Sequence, residues 1–182
     1  MNHHSVKYGT VACILGVALI AGCGYTVKPG NLSIGGDRAA SLSGASVLLV
    51  NVEQNAGKTA ISRDTQAGSG LLANRYVWSK KLVESLAISL ARRGAQVRAN
   101  AKQVLSISLP DVVFHEDRES AQFTVKMLVS SSTGWTKTYE GVAKTDVLRA
   151  PKETDQLALQ ALNDTARAML GDSEFQEQLL KR

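Results

Sequence analysis

Apolar residues recur along this chain at the two spacings that separate strands from helices. A continuous apolar run over residues 45–52 predicts a strand that is buried on both faces. Apolar and polar residues alternate strictly over 104–109, which predicts a half-buried strand. Because proline cannot donate a ladder hydrogen bond, Pro110 requires a bulge, an edge position or an end, and the run 112–114 extends the strand beyond it.

Two further alternating segments follow, and they predict that the chain continues as an antiparallel meander. Residues 121–129 alternate again, and residues 135–145 supply a returning strand after the polar turn 130–134. The charged segment 115–119 is expected to form the turn that precedes the first of them.

Helical periodicity appears twice. Asn74 is expected to cap a helix over about 75–93, and Gly94 is expected to stop it. A second helix is expected over about 153–170, and the Ser173-x-x-Gln176 pattern resembles a capping box that opens a short final helix. The predicted fold is therefore α/β, a two-layer sandwich in which a mixed, mostly antiparallel sheet carries two long helices on one face.

The N-terminus has the features of a secreted lipoprotein. An uncharged apolar stretch over 11–21 is shorter than the roughly 18 to 20 residues that a membrane-spanning helix needs, and it ends in small residues before Cys23. This order resembles the bacterial lipobox, which implies cleavage between Gly22 and Cys23 and lipidation of the Cys23 sulfur. Gly24 in place of an acidic residue implies the outer membrane, facing the periplasm. An ordinary cysteine behind an ordinary cleavage site is the alternative.

These features divide the chain into three parts. Residues 1–22 are the expected signal peptide, residues 23–44 the lipidated cysteine with a flexible Gly- and Ser-rich tether, and residues 45–182 a single periplasmic α/β domain. Residues 53–73 form a long Gly-rich loop, and long loops in compact domains are often functional. We therefore expect a partner-binding loop there, with its charged residues as candidate contacts: Lys58, Arg63 and Asp64.

Charge and motif chemistry narrow the functional classes. The formal net charge of +5 is dispersed, without basic runs or interleaved aromatic residues, so nucleic-acid binding is not expected. Gly57-Lys58-Thr59 suggests a phosphate-binding loop, but Val52 stands where its first glycine is required and no helix is expected after Thr59. Nucleotide binding is therefore not expected either.

Candidate catalytic groups are few. After signal cleavage His115 is the sole histidine, and lipidation would occupy the sole cysteine, so we expect no metal site and no cofactor. His115 beside Glu116 and Asp117 leaves open a small periplasmic hydrolase, although a solvated turn explains the same residues. Trp78 lies on the apolar stripe of the first helix, which favours packing over a ligand platform shared with Trp135.

Several stretches together resemble the YajG-like family of bacterial envelope lipoproteins, and the resemblance covers nearly the whole chain. They are the lipobox, TAISRDTQ, LLANRYVWSKKLVESLAISLARRGAQV, VLSISLPDVVF, AQFTVKMLVSSSTGWTKTYEGVAKTD and MLGDSEFQEQLLKR. The resemblance brings no catalytic signature. It implies a binding or assembly module of the cell envelope that is not an enzyme and whose partner is an envelope protein or an anionic envelope polymer. A structural subunit of an export or secretion complex, including a homo-oligomer, is the alternative.

Overall fold

The computed structural model describes residues 24–34, 41–55, 57–63, 70–117, 119–146 and 150–181. Nine strands and three helices lie within these residues. In chain order they are β1 Tyr25–Thr26, β2 Ser46–Asn51, β3 Thr59–Ala60, β4 Ser62–Arg63, β5 Leu71–Ala73, α1 Arg75–Arg92, β6 Gln96–Val97, β7 Gln103–Glu116, β8 Ala121–Ser131, β9 Thr136–Thr145, α2 Pro151–Gly171 and α3 Ser173–Leu180.

The main sheet is mixed, as the sequence predicts. Its strand order is β6-β2-β7-β8-β9, and β4 pairs with the distal part of β7. Strand β2 runs parallel to both β6 and β7, whereas β7, β8 and β9 form a long antiparallel meander. Helix α1 packs on β2 and β7, and α2 packs on β8 and β9. The predicted two-layer α/β sandwich is confirmed.

Sequence signals for the two long helices also hold. The Asn74 side chain accepts a hydrogen bond from the Val77 N–H at 3.1 Å and caps α1. Trp78 and the leucines that follow it at helical spacing are almost completely buried, so Trp78 belongs to the core. Pro151 begins α2, where its missing N–H costs nothing.

Strand β7 continues past Pro110 because its pairing with β8 is irregular there. Its register with β8 shifts between Ser108 and Asp111, so a bulge, one of the three alternatives that the proline predicts, is present. Side chains form hydrogen bonds with the backbone N–H and carbonyl groups that do not pair with β8 at this point. The Leu109 N–H donates to Glu53 at 2.5 Å, and the Pro110 carbonyl accepts from Arg75 at 2.9 Å.

Two local predictions are wrong. The turn expected over 115–119 begins later, because His115 and Glu116 still pair with β8. Asp117 closes that turn by accepting from the Ser120 N–H at 2.7 Å. The short helix α3 is capped by Asp172, which accepts from the N–H of Glu174, and the expected cap Ser173 is the first helical residue.

The tether and the long loop are more ordered than the sequence suggests. Strand β1 pairs with β5, and β5 pairs with β3, so the loop 53–73 contains three short strands, with β4 as the third. Val27, Ile34 and Leu42 are buried in the core. Apolar side chains from the described part of the segment 23–44 thus pack on the body, and the division of the chain into tether and domain stays a prediction.

Candidate functional site

Gly24, the first described residue, packs directly against the folded body. A Cβ atom at Gly24 would lie 2.9 Å from the Gly70 carbonyl oxygen and 3.1 Å from the Leu72 side chain. The N–H of Val27 donates to the Leu72 carbonyl at 2.9 Å, and the Val27 carbonyl accepts from the Trp78 indole at 3.3 Å. The residue after the predicted lipidation site is thus packed against β5.

Polar contacts from both long helices hold the next residues. The Tyr25 hydroxyl donates to Asp155 at 2.9 Å, and the Lys28 N–H donates to the same carboxylate at 2.8 Å. Burial, followed by this hydrogen bond, raises the pKa of Tyr25. On the α1 side, the Lys81 ammonium donates to the Pro29 carbonyl at 2.6 Å. The segment 24–30 is therefore fixed to both helices.

A cavity lies beyond the carboxyl end of β2, between the predicted partner-binding loop and the start of α1. Its volume is about 350 Å³, and its lining includes Val52, Glu53, Thr59 and Arg75. Val52 is 49% exposed, which is high for a large apolar residue. The ends of parallel strands that point toward a helix N-terminus are a common place for binding sites in α/β folds.

A second cavity of about 250 Å³ lies next to the first and shares Thr59 and Arg75 with it. Ile61 and Pro110 also contribute to its lining. The Arg75 guanidinium donates to the carbonyls of Leu109 and Pro110 and so is fixed at the boundary of the two cavities. We call this pair of cavities the Arg75 cleft, defined by Val52, Glu53, Thr59, Ile61, Arg75 and Pro110.

Of the predicted loop contacts, only Lys58 has a described side chain, and it lies beside the cleft and is not part of its lining. Lys58 is exposed between two residues that line the first cavity, Gly57 and Thr59. Arg63 is described only through its backbone, which pairs with His115. Asp64 lies outside the described residues, as do Gly22 and Cys23, so lipidation of Cys23 stays a prediction.

Sequence reasoning missed the two charged side chains that build the cleft, Glu53 and Arg75. A proline within a strand was the available signal, because the carbonyl and N–H groups displaced at a bulge need partners from elsewhere. Thr59 begins a strand and not a helix, so the segment after Lys58 differs from that of a phosphate-binding loop.

His115 lies on β7 with an exposed side chain, opposite Gln122 of β8. The neighbouring Asp117 carboxylate accepts hydrogen bonds from the N–H groups of Glu119 and Ser120, which hold its pKa below the usual value. Within the described part of the chain, no group of three or more histidine, cysteine, aspartate or glutamate residues could hold a metal ion. The hydrolase alternative stays a prediction.

Comparison with known proteins adds one likeness in fold. The chain is similar to the crystal structure of protein XCC0632 from Xanthomonas campestris, which is assigned to the family model DUF330. The TM-score is 0.52 at 10% sequence identity, and the alignment covers 85% of this chain and 95% of the other. No family model and no curated protein matches. Among the described residues, no helix is long and apolar enough to cross a membrane.

Proposed function

We propose that this chain is a YajG-like envelope lipoprotein, held at the periplasmic face of the outer membrane by acyl chains on Cys23. It acts as a binding module, and the Arg75 cleft receives a segment of another envelope protein. The lipobox and its order of charged, apolar and small residues support the anchor. Several acyl chains on one residue give stable attachment, since each buried CH₂ contributes about 0.8 kcal/mol.

The observation that carries the proposal is the position of Gly24. This residue follows Cys23 and packs on Gly70 and Leu72, so an anchor at Cys23 would join the rigid body almost directly. Strand β5, which receives β1 on one side, pairs on its other side with β3, whose residues line the Arg75 cleft. The anchor point and the cleft therefore share one small sheet, and the anchor would present the cleft near the membrane surface.

The chemistry of the cleft suits a polypeptide segment. Exposed Val52 offers an apolar contact, and Glu53 and Arg75 offer one charge of each sign. Two adjacent cavities on either side of Arg75 match neighbouring side chains of an extended segment. An interface of this kind combines an apolar contact with oriented polar groups.

Two experiments test the proposal separately. Cells that express the wild type or Cys23→Ser are labelled with a fatty-acid analogue and fractionated. We expect label and membrane retention for the wild type alone. An unlabelled wild type that high salt releases from membranes would refute the anchor.

The cleft is tested by a photo-crosslinking amino acid at Lys58, with the same amino acid at Ile88 as the matched control. Ile88 is 55% exposed on α1, outside the Arg75 cleft. We expect a discrete cross-linked protein from position 58 that Arg75→Gln weakens, and none from position 88. Equal products from both positions would contradict a partner site in the cleft.

The edge strand β9 favours a second candidate, a structural subunit of an envelope complex. Among the described strands β9 pairs with β8 alone, so its other edge has no strand partner there over ten residues. Lys137, Glu140 and Lys144 lie along it, and charges of this kind commonly limit edge-to-edge pairing. Sedimentation of the purified protein as a monomer at high micromolar concentration would contradict self-assembly through this edge.

A further inference from the structure

A third pocket lies apart from the Arg75 cleft, where the β8–β9 turn, the start of β7 and helix α3 meet. Its volume is about 440 Å³. The side chains that line it combine one indole, two ammonium groups, two amides and one hydroxyl: Trp135, Lys102, Lys181, Gln103, Gln178 and Thr133. We call it the Trp135 pocket.

The indole of Trp135 is held in place. Its Nε1–H donates to Glu174 at 2.9 Å, and its ring packs on Phe175 with a centroid separation of 6.2 Å. Lys137 donates to Glu174 at 2.7 Å and to Asp172 at 2.9 Å, which fixes the carboxylate that the indole contacts. Trp135 is half-buried, so part of this fixed ring remains open to a ligand.

The two ammonium groups of the pocket are not neutralised. Lys102 and Lys181 are both exposed, and no ion pair involves either of them within the described residues. Gln103 donates through its amide N–H to the Gln178 carbonyl at 2.9 Å, which leaves its own carbonyl oxygen for a ligand. The pocket thus presents an apolar ring, two cations and neutral polar groups together.

We propose that the Trp135 pocket binds an acidic saccharide. The carbon face of a sugar ring stacks on an indole, which combines a large apolar surface with low conformational freedom. The ligand's carboxylate or phosphate groups meet Lys102 and Lys181 as charge-assisted contacts. The amides of Gln103 and Gln178 match hydroxyl groups, which an acidic peptide lacks in this number.

The Trp135 pocket lies at the opposite end of α1 from the proposed anchor, so its ligand would lie away from the membrane. Helix α1 has 18 residues and therefore spans roughly 27 Å. Its first turn lies next to β5 and the anchor point, whereas Arg93 after its last turn donates to the Leu170 carbonyl, near α3. This orientation relative to the membrane rests on the proposed lipid anchor. Ligand binding to the pocket is independent of that anchor.

The test is binding of trigalacturonate to the full-length protein in detergent, followed by intrinsic fluorescence. The chain has two tryptophans, and Trp78 is 1% exposed. A saturable change in fluorescence is therefore expected to come from Trp135 and to disappear in Trp135→Phe. We expect the double variant Lys102→Gln, Lys181→Gln to raise the Kd at least about ten-fold, since it removes two charge-assisted contacts with the ligand.

Matched controls separate the pocket from general charge. Lys80→Gln with Lys152→Gln removes two exposed cations from the helices α1 and α2 and should leave the Kd unchanged. Maltotriose lacks the carboxylates, triaspartate lacks the sugar rings, and each should bind at least about ten-fold more weakly than trigalacturonate. Urea unfolding of each lysine variant confirms that the fold is intact.

Three outcomes would overturn the proposal. They are absence of saturable trigalacturonate binding, equal loss in the two double-lysine variants, and triaspartate binding as tightly as the saccharide. The last outcome would assign the pocket to an acidic protein segment. None of the three bears on labelling of Cys23, so failure here is distinguishable from failure of the anchor.

Discussion

Replacement of Gly141 by alanine tests the contact on which the helix layer depends. Gly141 lies in β9 beneath α2, and a Cβ atom there would collide with the Ala161 carbonyl oxygen, the Thr165 hydroxyl and the Thr165 backbone nitrogen. Two of these three atoms belong to the helix backbone, which cannot rotate away as a side chain would. The whole helix must move off the strand to accept one methyl group.

The expected loss follows from this geometry. Forcing a methyl group into a packed core costs about 1–3 kcal/mol, and the cost is at the upper end when backbone must move. The Thr165 hydroxyl also donates to the Ala161 carbonyl at 2.8 Å and contacts the Val125 carbonyl at 3.3 Å, and a shifted helix weakens the second contact. A lost hydrogen bond adds about 1 kcal/mol. We expect Gly141→Ala to lower the free energy of unfolding by about 3–4 kcal/mol.

Urea titration of the full-length protein in detergent, followed by circular dichroism, measures the effect. Gly171→Ala is the control, because no atom lies within 4 Å of a Cβ at the last residue of α2. A compatible Gly→Ala change stabilises by about 0.4–1 kcal/mol. A Gly141→Ala variant within about 0.5 kcal/mol of the wild type would refute the close contact between α2 and β9.

Three further changes test other parts of the structure. Asp172→Asn should destabilise at neutral pH: burial raises the pKa of Asp172, but the hydrogen bonds from Tyr139, Lys137 and the Glu174 N–H together outweigh it and hold the pKa below its ordinary value. The extra stability of the wild type over this variant is then present above the unfolded pKa of about 3.9 and is lost as pH falls through the lower folded pKa. Unfolding measured across an acid titration tests this. The control Asp164→Asn, which removes one partner of an exposed ion pair, should show little difference from the wild type. Tyr139→Phe removes a hydroxyl that donates to Asp172 at 2.6 Å and should lower the free energy of unfolding by about 1.5 kcal/mol in urea. Hydrogen exchange at the Val27 N–H should be strongly protected, and exchange at the rate of a free chain would contradict docking of the segment 24–30.

Much of the fold was predictable from local pattern. A continuous apolar run located β2, and periods of two and of about 3.6 residues located the meander and both long helices. Asn74 marked a helix cap, and Pro110 marked an interruption of β7 that is a bulge. These signals are local, because each depends on neighbours within a few residues. The extent of β7 was underestimated, since His115 and Glu116 are polar and look like a turn until β8 pairs with them.

The remaining features depend on contacts between distant segments. Residues 24–34 carry little periodicity, and their order comes from β5, Trp78 and Asp155. The hydrogen-bonded partners Trp135 and Glu174 are 39 residues apart in the chain, and the partners Tyr139 and Asp172 are 33 residues apart. Single-sequence patterns contain no information on such pairs, so both candidate pockets required the structure.

Mass spectrometry of the N-terminal peptide from membrane-extracted protein tests the proposed anchor most directly. Trypsin cuts poorly between Lys28 and Pro29, so the expected peptide begins at Cys23 and extends to Arg38. We predict that this peptide carries the added mass of acyl chains on Cys23 and that no peptide contains residues 1–22. A mature chain that begins elsewhere, or a Cys23 with a free thiol, would contradict the lipoprotein assignment and the orientation of the Arg75 cleft that depends on it.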